Sequence, residues 1–170
     1  MTESTPYQRL ARRLDELPNG YPSAADDSHL RVLEYLFSPE QAALAAELSP
    51  DPETPAAIAA RLGRDRAAVR AILKEMARKG LITAGRAKGG MGYGLMPFVV
   101  GIYEMQAGRI DAELAQRIES YFRSAFRKAL AARPQFHRVV PVRESIEQKT
   151  AIAPFETAAG IVERASAWAV

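Results

Sequence analysis

The chain has 170 residues, of which 48% are hydrophobic and 25% charged, the proportions of an ordinary folded globular protein. It contains no cysteine, which excludes disulfides, zinc–thiolate sites and cysteine-ligated iron–sulfur clusters within this chain. The net charge of +3 is unevenly distributed, because the window 61–88 holds nine basic and two acidic residues and the rest of the chain nets −4. A local basic excess of this kind is typical of a surface that meets a polyanion.

The beginning of the chain is predicted to be helical. Apolar residues recur at helical spacing over 6–17, and the following prolines and Asn-Gly pair end that helix, so residues 1–28 form an N-terminal helix and turn. A second helix is predicted to be capped by Asp27 or Ser28. A third is predicted to start at Ser38, with proline at its first helical position.

A tight pair of helices is predicted between Thr54 and Gly80. Thr54 supplies a capping hydroxyl in front of a proline, and the helix PAAIAARL is closed by Gly63. Asp65 can cap the next helix, RAAVRAILKEMARK, which Gly80 closes. Two short helices joined this tightly indicate a helix-turn-helix. The apolar residues expected to face inward are Ile58, Leu62, Val69, Ile72, Leu73 and Met76.

A β-hairpin is predicted directly after these helices. The segment LITAGRA at 81–87 is interpreted as a strand, KGGMGYG as a glycine-rich turn and LMPF as the second strand. A hairpin in this position is a wing, so residues 29–97 are predicted to form a winged helix-turn-helix in a mainly helical protein. The glycines superficially resemble a phosphate-binding loop, but they do not lead into a Lys-Ser/Thr pair and a helix, so the turn is preferred.

Residues 98–133 are predicted to form one long amphipathic helix with a broad apolar stripe. This stripe must pack either on the helices of residues 1–48 or on a second copy in a homodimer, and the sequence leaves both open. Residues 134–170 are predicted to contain an extended segment and a C-terminal helix. Because that helix has an apolar end and no stop signal, the chain is expected to be part of a longer protein.

Basic side chains are predicted to line the exposed side of the second helix of the pair. From Arg66 to Arg78 they recur every fourth residue, which spreads them over an arc of about 120° opposite the apolar face. A helix and a wing of this kind can reach phosphates and guanine edges, although a solvated face that only maintains solubility is an equally open interpretation. The candidate nucleic-acid-binding residues are Arg64, Arg66, Arg70, Lys74, Arg78, Arg86 and Lys88.

Patterns for catalysis or metal binding are not apparent. His29 and His137 have no neighbouring ligands at metal spacing and are interpreted as structural, and no catalytic motif is recognisable, so an enzyme is not expected. The polar beginning of the chain shows no signal peptide. The longest apolar stretch, of about ten residues, is far shorter than the roughly 20 that span a bilayer, so a cytoplasmic protein without membrane contact is expected.

Four segments together resemble the N-terminal region of bacterial 4Fe-4S ferredoxin-type iron–sulfur proteins: LARRLDELPNGYP, KEMARKGLI, GLMPFVVGIYE and PQFHRVVPVRESI. The resemblance extends over nearly the whole chain, and its specific parts are GLMPFVVGIYE and PQFHRVVPV. It implies a winged-helix front part followed by cysteine-rich segments that bind [4Fe-4S] clusters. No cluster ligand can be assigned here, because the cysteines are absent.

Two functions follow as expectations. One is a winged-helix module that binds DNA or regulates transcription. The alternative is a docking module that meets a redox or other protein partner and positions an iron–sulfur domain for electron transfer.

Overall fold

The computed structural model describes residues 4–127 of the chain, and most of this part is helical. The helices are α1 (Pro6–Asp15), α2 (Ser28–Leu36), α3 (Pro39–Ala45), α4 (Pro55–Leu62), α5 (Arg66–Arg78) and α6 (Ala112–Tyr121), and the strands are β1 (Thr83–Ala87) and β2 (Gly90–Gly94). The strands form one antiparallel two-stranded sheet. The predicted class, mainly helical with a small hairpin, is therefore confirmed.

The helix starts show why these residues form helices. The side chains of Thr5 and Ser38 form capping boxes with the glutamines three residues later, and each is followed by proline. The hydroxyl of Thr54 accepts the N–H of Ala57 at 3.3 Å. Such side chains satisfy N–H groups that have no partner within the helix. The predicted starts of α3 and α4 are confirmed.

The start of α2 differs in detail from the prediction. Asp27 occupies the capping position, but its backbone is left-handed, with φ of 57°, and its side chain makes no capping hydrogen bond. The carboxylate of Asp26 accepts the N–H of Ser28 at 3.1 Å instead.

The pair α4 and α5 is joined only by residues 63–65. Gly63 ends α4 with a left-handed φ of 60°, and the carboxylate of Asp65 accepts the N–H of Ala68 at 2.7 Å. Gly80 follows α5 with φ of 70°. Of the residues predicted to face inward, four are buried and two are partly buried: Ile58, Val69, Leu73 and Met76, then Leu62 and Ile72.

The hairpin differs from the prediction in its second strand. Gly90–Gly94 pairs with β1 so that Ala87 lies opposite Gly90 and Thr83 opposite Gly94. Most of the predicted turn is therefore strand, the turn is reduced to residues 88–89, and LMPF lies after the strand.

Close packing of backbone explains this strand of glycines. A Cβ atom on Gly94 would lie 2.7 Å from the carbonyl oxygen of Pro50, so only glycine lets the segment before α4 run alongside β2. The same segment is tied to β2 by two backbone hydrogen bonds between Glu53 and Tyr93, of 3.0 and 2.9 Å.

The prediction of one continuous helix over 98–133 is wrong in its first part. Phe98–Ile102 is a single irregular turn in which Val100 has a φ of 59°, and Glu104–Gln106 is one 3₁₀ turn. The helix α6 begins only at Ala112, because Asp111 caps it by accepting the N–H of Leu114 at 2.8 Å, and a final π-helical turn follows at Phe122–Phe126. The predictions for 128–133 and for 134–170 lie outside the described residues.

The core joins the two ends of the described segment. Helix α1 packs on α2 and α3, and α6 packs on α2. The apolar stripe thus packs on the N-terminal helices, which is one of the two arrangements that the sequence left open. Tyr21, Phe98 and Tyr121 fill the centre, with Tyr21 lying 4.7 Å from Phe98 and 4.8 Å from Tyr121 between ring centroids. No helix in this part of the chain is long and apolar enough to cross a lipid bilayer.

Candidate nucleic-acid interface

Helix α5 separates a core face from a charged face. Val69, Leu73 and Met76 are at most 1% exposed, whereas the basic residues between them are open to solvent. This separation follows from the sequence, because residues four apart lie on the same side of a helix. The basic row from Arg66 to Arg78 therefore extends along about 18 Å of helix.

All seven residues predicted from the sequence are exposed: Arg64, Arg66, Arg70, Lys74, Arg78, Arg86 and Lys88. The hairpin carries two of them. Arg86 lies in β1 opposite Met91, and Lys88 lies in the two-residue turn. Five of the seven thus lie on α5 or immediately before it, and two lie on the hairpin.

Two other basic residues of the window 61–88 form ion pairs. The guanidinium of Arg61 lies 2.7 Å from the carboxylate of Glu53, and the ammonium of Lys79 lies 2.8 Å from that of Glu75. The hydrogen bond from Lys79, followed by its charge, lowers the pKa of Glu75 below its usual value. None of the seven predicted residues forms an ion pair within residues 4–127. Their charge is therefore not neutralised by these contacts.

Arg109 is a basic residue of this region that the sequence analysis missed. Its guanidinium donates to the carbonyl of Arg78 at 2.7 Å, so it lies against the C-terminal end of α5. The buried side chain of Gln106 holds the same segment in place by donating to the carbonyls of Lys79 and Gly80 at 3.1 and 3.3 Å. Unpaired carbonyls at a helix end require donors, but the sequence does not show which distant residue supplies them.

An open groove lies between α5 and the hairpin. Its lining residues are Lys74, Ala77, Arg78, Ala84, Met91 and Tyr93. Met91 is 61% exposed there, so an apolar side chain lies among cations. A surface of this composition can pair with phosphates through its cations and contact a thymine methyl group through its apolar floor.

From the sequence, His29 and His137 are interpreted as structural residues and not as metal ligands. His29 is buried, and its Nδ1 accepts the N–H of Ala24 at 3.2 Å. His137 lies outside the described residues. Among the residues that the structure describes, no group of three or more histidine or acidic side chains could hold a metal ion.

Comparison with known proteins adds no assignment. No protein-family model, curated protein or solved structure matches this chain.

Proposed function

We propose that residues 29–97 form a winged helix-turn-helix that binds double-stranded DNA, with α5 as the recognition helix and the β1–β2 hairpin as the wing. The observation that carries the proposal is the set of seven exposed cations on and beside one helix face and the adjoining hairpin, none of them ion-paired within the described chain. A polyanion supplies the missing negative charge and releases its counterions on binding.

The order of the elements supports this proposal. Helix α3 is followed by the backbone bridge at Glu53, then by α4 and α5, and then by the hairpin. This is the order of a winged helix, in which the hairpin extends from the sheet beside the recognition helix. The bridge between Glu53 and Tyr93 holds the hairpin to the segment that enters α4, which keeps the hairpin and the helix pair in one unit.

Dimensions support a major-groove contact for α5. The groove of B-form DNA is about 12 Å wide and admits one helix. Recognition helices contact base edges mainly through their N-terminal residues, which gives Arg66 and Arg70 the base contacts and Lys74 a phosphate contact. Arg86 and Lys88 would then meet the adjacent backbone or minor groove.

The test is binding of the full chain to duplex DNA at a series of salt concentrations. With about five phosphates neutralised, the logarithm of the affinity should fall against the logarithm of the salt concentration with a slope of about −4.5. The double substitution Arg70→Ala/Lys74→Ala should reduce the magnitude of this slope by about 1, because Lys74 supplies the phosphate contact of the pair. It should also weaken binding at low salt by at least about tenfold.

A matched control removes the same charge elsewhere. Arg13 and Arg123 form exposed ion pairs with neighbouring glutamates on α1 and at the end of α6, and such pairs contribute little to stability. The substitution Arg13→Ala/Arg123→Ala should leave the salt slope unchanged. Undetectable or salt-independent binding overturns the proposal and favours docking to a protein, and equal losses in both variants overturn the placement on α5.

A further inference from the structure

A polar cleft lies between α1 and the segment that leads into α2, and none of the residues assigned to DNA lines it. Its volume is about 370 Å³. One wall comes from α1, where Gln8, Arg12 and Asp15 lie on one face because they are spaced by four and three residues. The opposite wall includes Ser23 and His29.

His29 offers a hydrogen-bond donor that the described chain leaves unused. The residue is only 7% exposed, and its Nδ1 accepts the N–H of Ala24. Burial lowers the pKa of His29, so the ring is neutral near pH 7 and carries its proton on Nε2. No acceptor for Nε2 occurs within residues 4–127, and no fully buried side-chain nitrogen or oxygen there lacks a partner, so Nε2 is accessible to solvent. His29 is one of the residues that line the cleft.

One positive and one negative charge face the same cleft. Neither Arg12 nor Asp15 forms an ion pair in the described part of the chain. Among the described residues, the guanidinium of Arg12 makes one long contact, of 3.4 Å, with the carbonyl of Gln8. Asp15 uses Oδ1 to accept the N–H of Tyr21 at 2.8 Å, and no hydrogen bond engages Oδ2 among these residues. On a helix, residues three apart have Cβ atoms about 5–6 Å from each other.

We propose that this cleft binds a small zwitterion, an α-amino acid, whose carboxylate meets Arg12 and the Nε2–H of His29 and whose ammonium meets Asp15. A guanidinium matches a carboxylate with two parallel hydrogen bonds, and a carboxylate beside it matches an ammonium. Ala11 and Tyr21 also line the cleft. The proposal is independent of DNA binding, because none of these residues belongs to the basic surface.

The experiment is calorimetric titration of the full chain with each standard L-amino acid at millimolar concentrations, together with nitrogen NMR of the His29 ring. At least one amino acid should bind and shift the Nε2 resonance of His29. Arg12→Gln and Asp15→Asn should each weaken that binding roughly 10- to 100-fold, since each removes a hydrogen bond to a charged group. Asparagine at 15 keeps the oxygen that accepts the Tyr21 N–H, so this variant retains the local fold.

Arg13→Gln is the matched control, because Arg13 is the next residue of α1 and pairs with Glu16 instead of facing the cleft. It should bind as the wild type does. The absence of binding by every amino acid, or unchanged binding by Arg12→Gln, overturns the proposal. Equal binding of the corresponding 2-oxo acid or amine overturns the assignment of a zwitterion.

Discussion

Val100 has a backbone conformation that β-branched residues rarely adopt, with φ of 59°, and its side chain is 64% exposed. The turn around it is held by contacts on both sides. The side-chain amide of Asn19 donates to the carbonyl of Val99 at 2.9 Å, and the carboxylate of Glu104 accepts the N–H of Gly101 at 2.7 Å. Strain at one residue persists when its surroundings determine the backbone in this way.

Substituting glycine at this position should therefore stabilise the protein. We expect Val100→Gly to raise the free energy of unfolding by up to about 1 kcal/mol, because glycine adopts this φ without strain and little apolar surface is lost. Chemical denaturation with urea measures the change. Val99→Gly is the control, since Val99 has an ordinary extended backbone, and it should lower stability. Equal destabilisation by both substitutions would contradict the strain argument.

The solvent exposure of individual side chains could be predicted only partly from the sequence. The seven cations are exposed as their spacing on α5 and the hairpin indicates. Among the aromatic residues of 98–126, Tyr121 and Phe126 are buried, whereas Tyr103 and Phe122 are each 38% exposed. An aromatic ring near a helix end is buried or exposed according to what packs beside it, and sequence spacing alone does not contain that information.

Among the elements, the hairpin shows most directly how packing overrides local propensity. A strand with the sequence GMGYG has few side chains that favour β-structure, and it forms because the backbone of residues 49–53 lies against it. Leu95 extends this contact by donating its N–H to the carbonyl of Ser49 at 2.8 Å. The close approach makes the glycine at 94 a packing requirement.

We expect Gly94→Ala to lower the free energy of unfolding by about 2 kcal/mol, because its Cβ would overlap the carbonyl of Pro50 and the segment would have to shift. Gly108→Ala is the matched control, since a Cβ there meets nothing within 4 Å, and it should change stability little. Neither glycine has a positive φ, so the comparison isolates packing. Thermal and urea unfolding measure both variants, and equal effects would refute the packing explanation.

At the scale of the whole molecule, buried aromatic residues connect parts of the chain that are far apart in sequence. Tyr21 donates its hydroxyl to the carbonyl of His29 at 2.8 Å, and Tyr121 donates to that of Pro22 at 3.0 Å. These bonds satisfy polar groups that would otherwise be buried at a cost. The ring of His29 lies beside both tyrosines, 6.4 Å from each between centroids.

The stability of the fold should consequently depend on the protonation of His29. Burial lowers the pKa of His29, with Arg31 acting in the same direction and Asp27 and Asp26 opposing it. The neutral ring is favoured in the fold, so this contribution is complete above the unfolded pKa of about 6.5 and is lost as the pH falls through the lower folded pKa. We expect the free energy of unfolding to fall between about pH 7 and pH 5.

The variant His29→Gln should show a smaller fall over this range, measured by urea unfolding at a series of pH values. The carboxylate of Asp26 provides an internal control, because hydrogen bonds from Ser28 lower its pKa and stabilise the fold only above that pKa. The loss of stability at still lower pH should therefore occur in both proteins. An unchanged slope between about pH 7 and pH 5 in His29→Gln would contradict the assignment to this ring.

Features that depend on residues within about one helical turn of each other could be predicted from local patterns in the sequence. Caps at Thr54 and Asp65, stops at Gly63 and Gly80, and the opposition of apolar and basic faces on α5 are all local, and all were predicted. The start of α6 has a local signal, because Asp111 is an ordinary helix cap. That signal was overlooked because apolar residues continue at helical spacing across 98–111.

Three features depend on tertiary contacts that no local pattern predicts: the second strand, the position of Arg109 beside α5 and the cleft between α1 and His29. Each brings together groups from distant parts of the chain. Gly94 is strand because Pro50 packs on it, and Arg109 lies at the end of α5 because the carbonyl of Arg78 accepts its hydrogen bond. Periodicity and capping describe how a residue relates to its neighbours in sequence, whereas these contacts form only when the core has brought separate elements together.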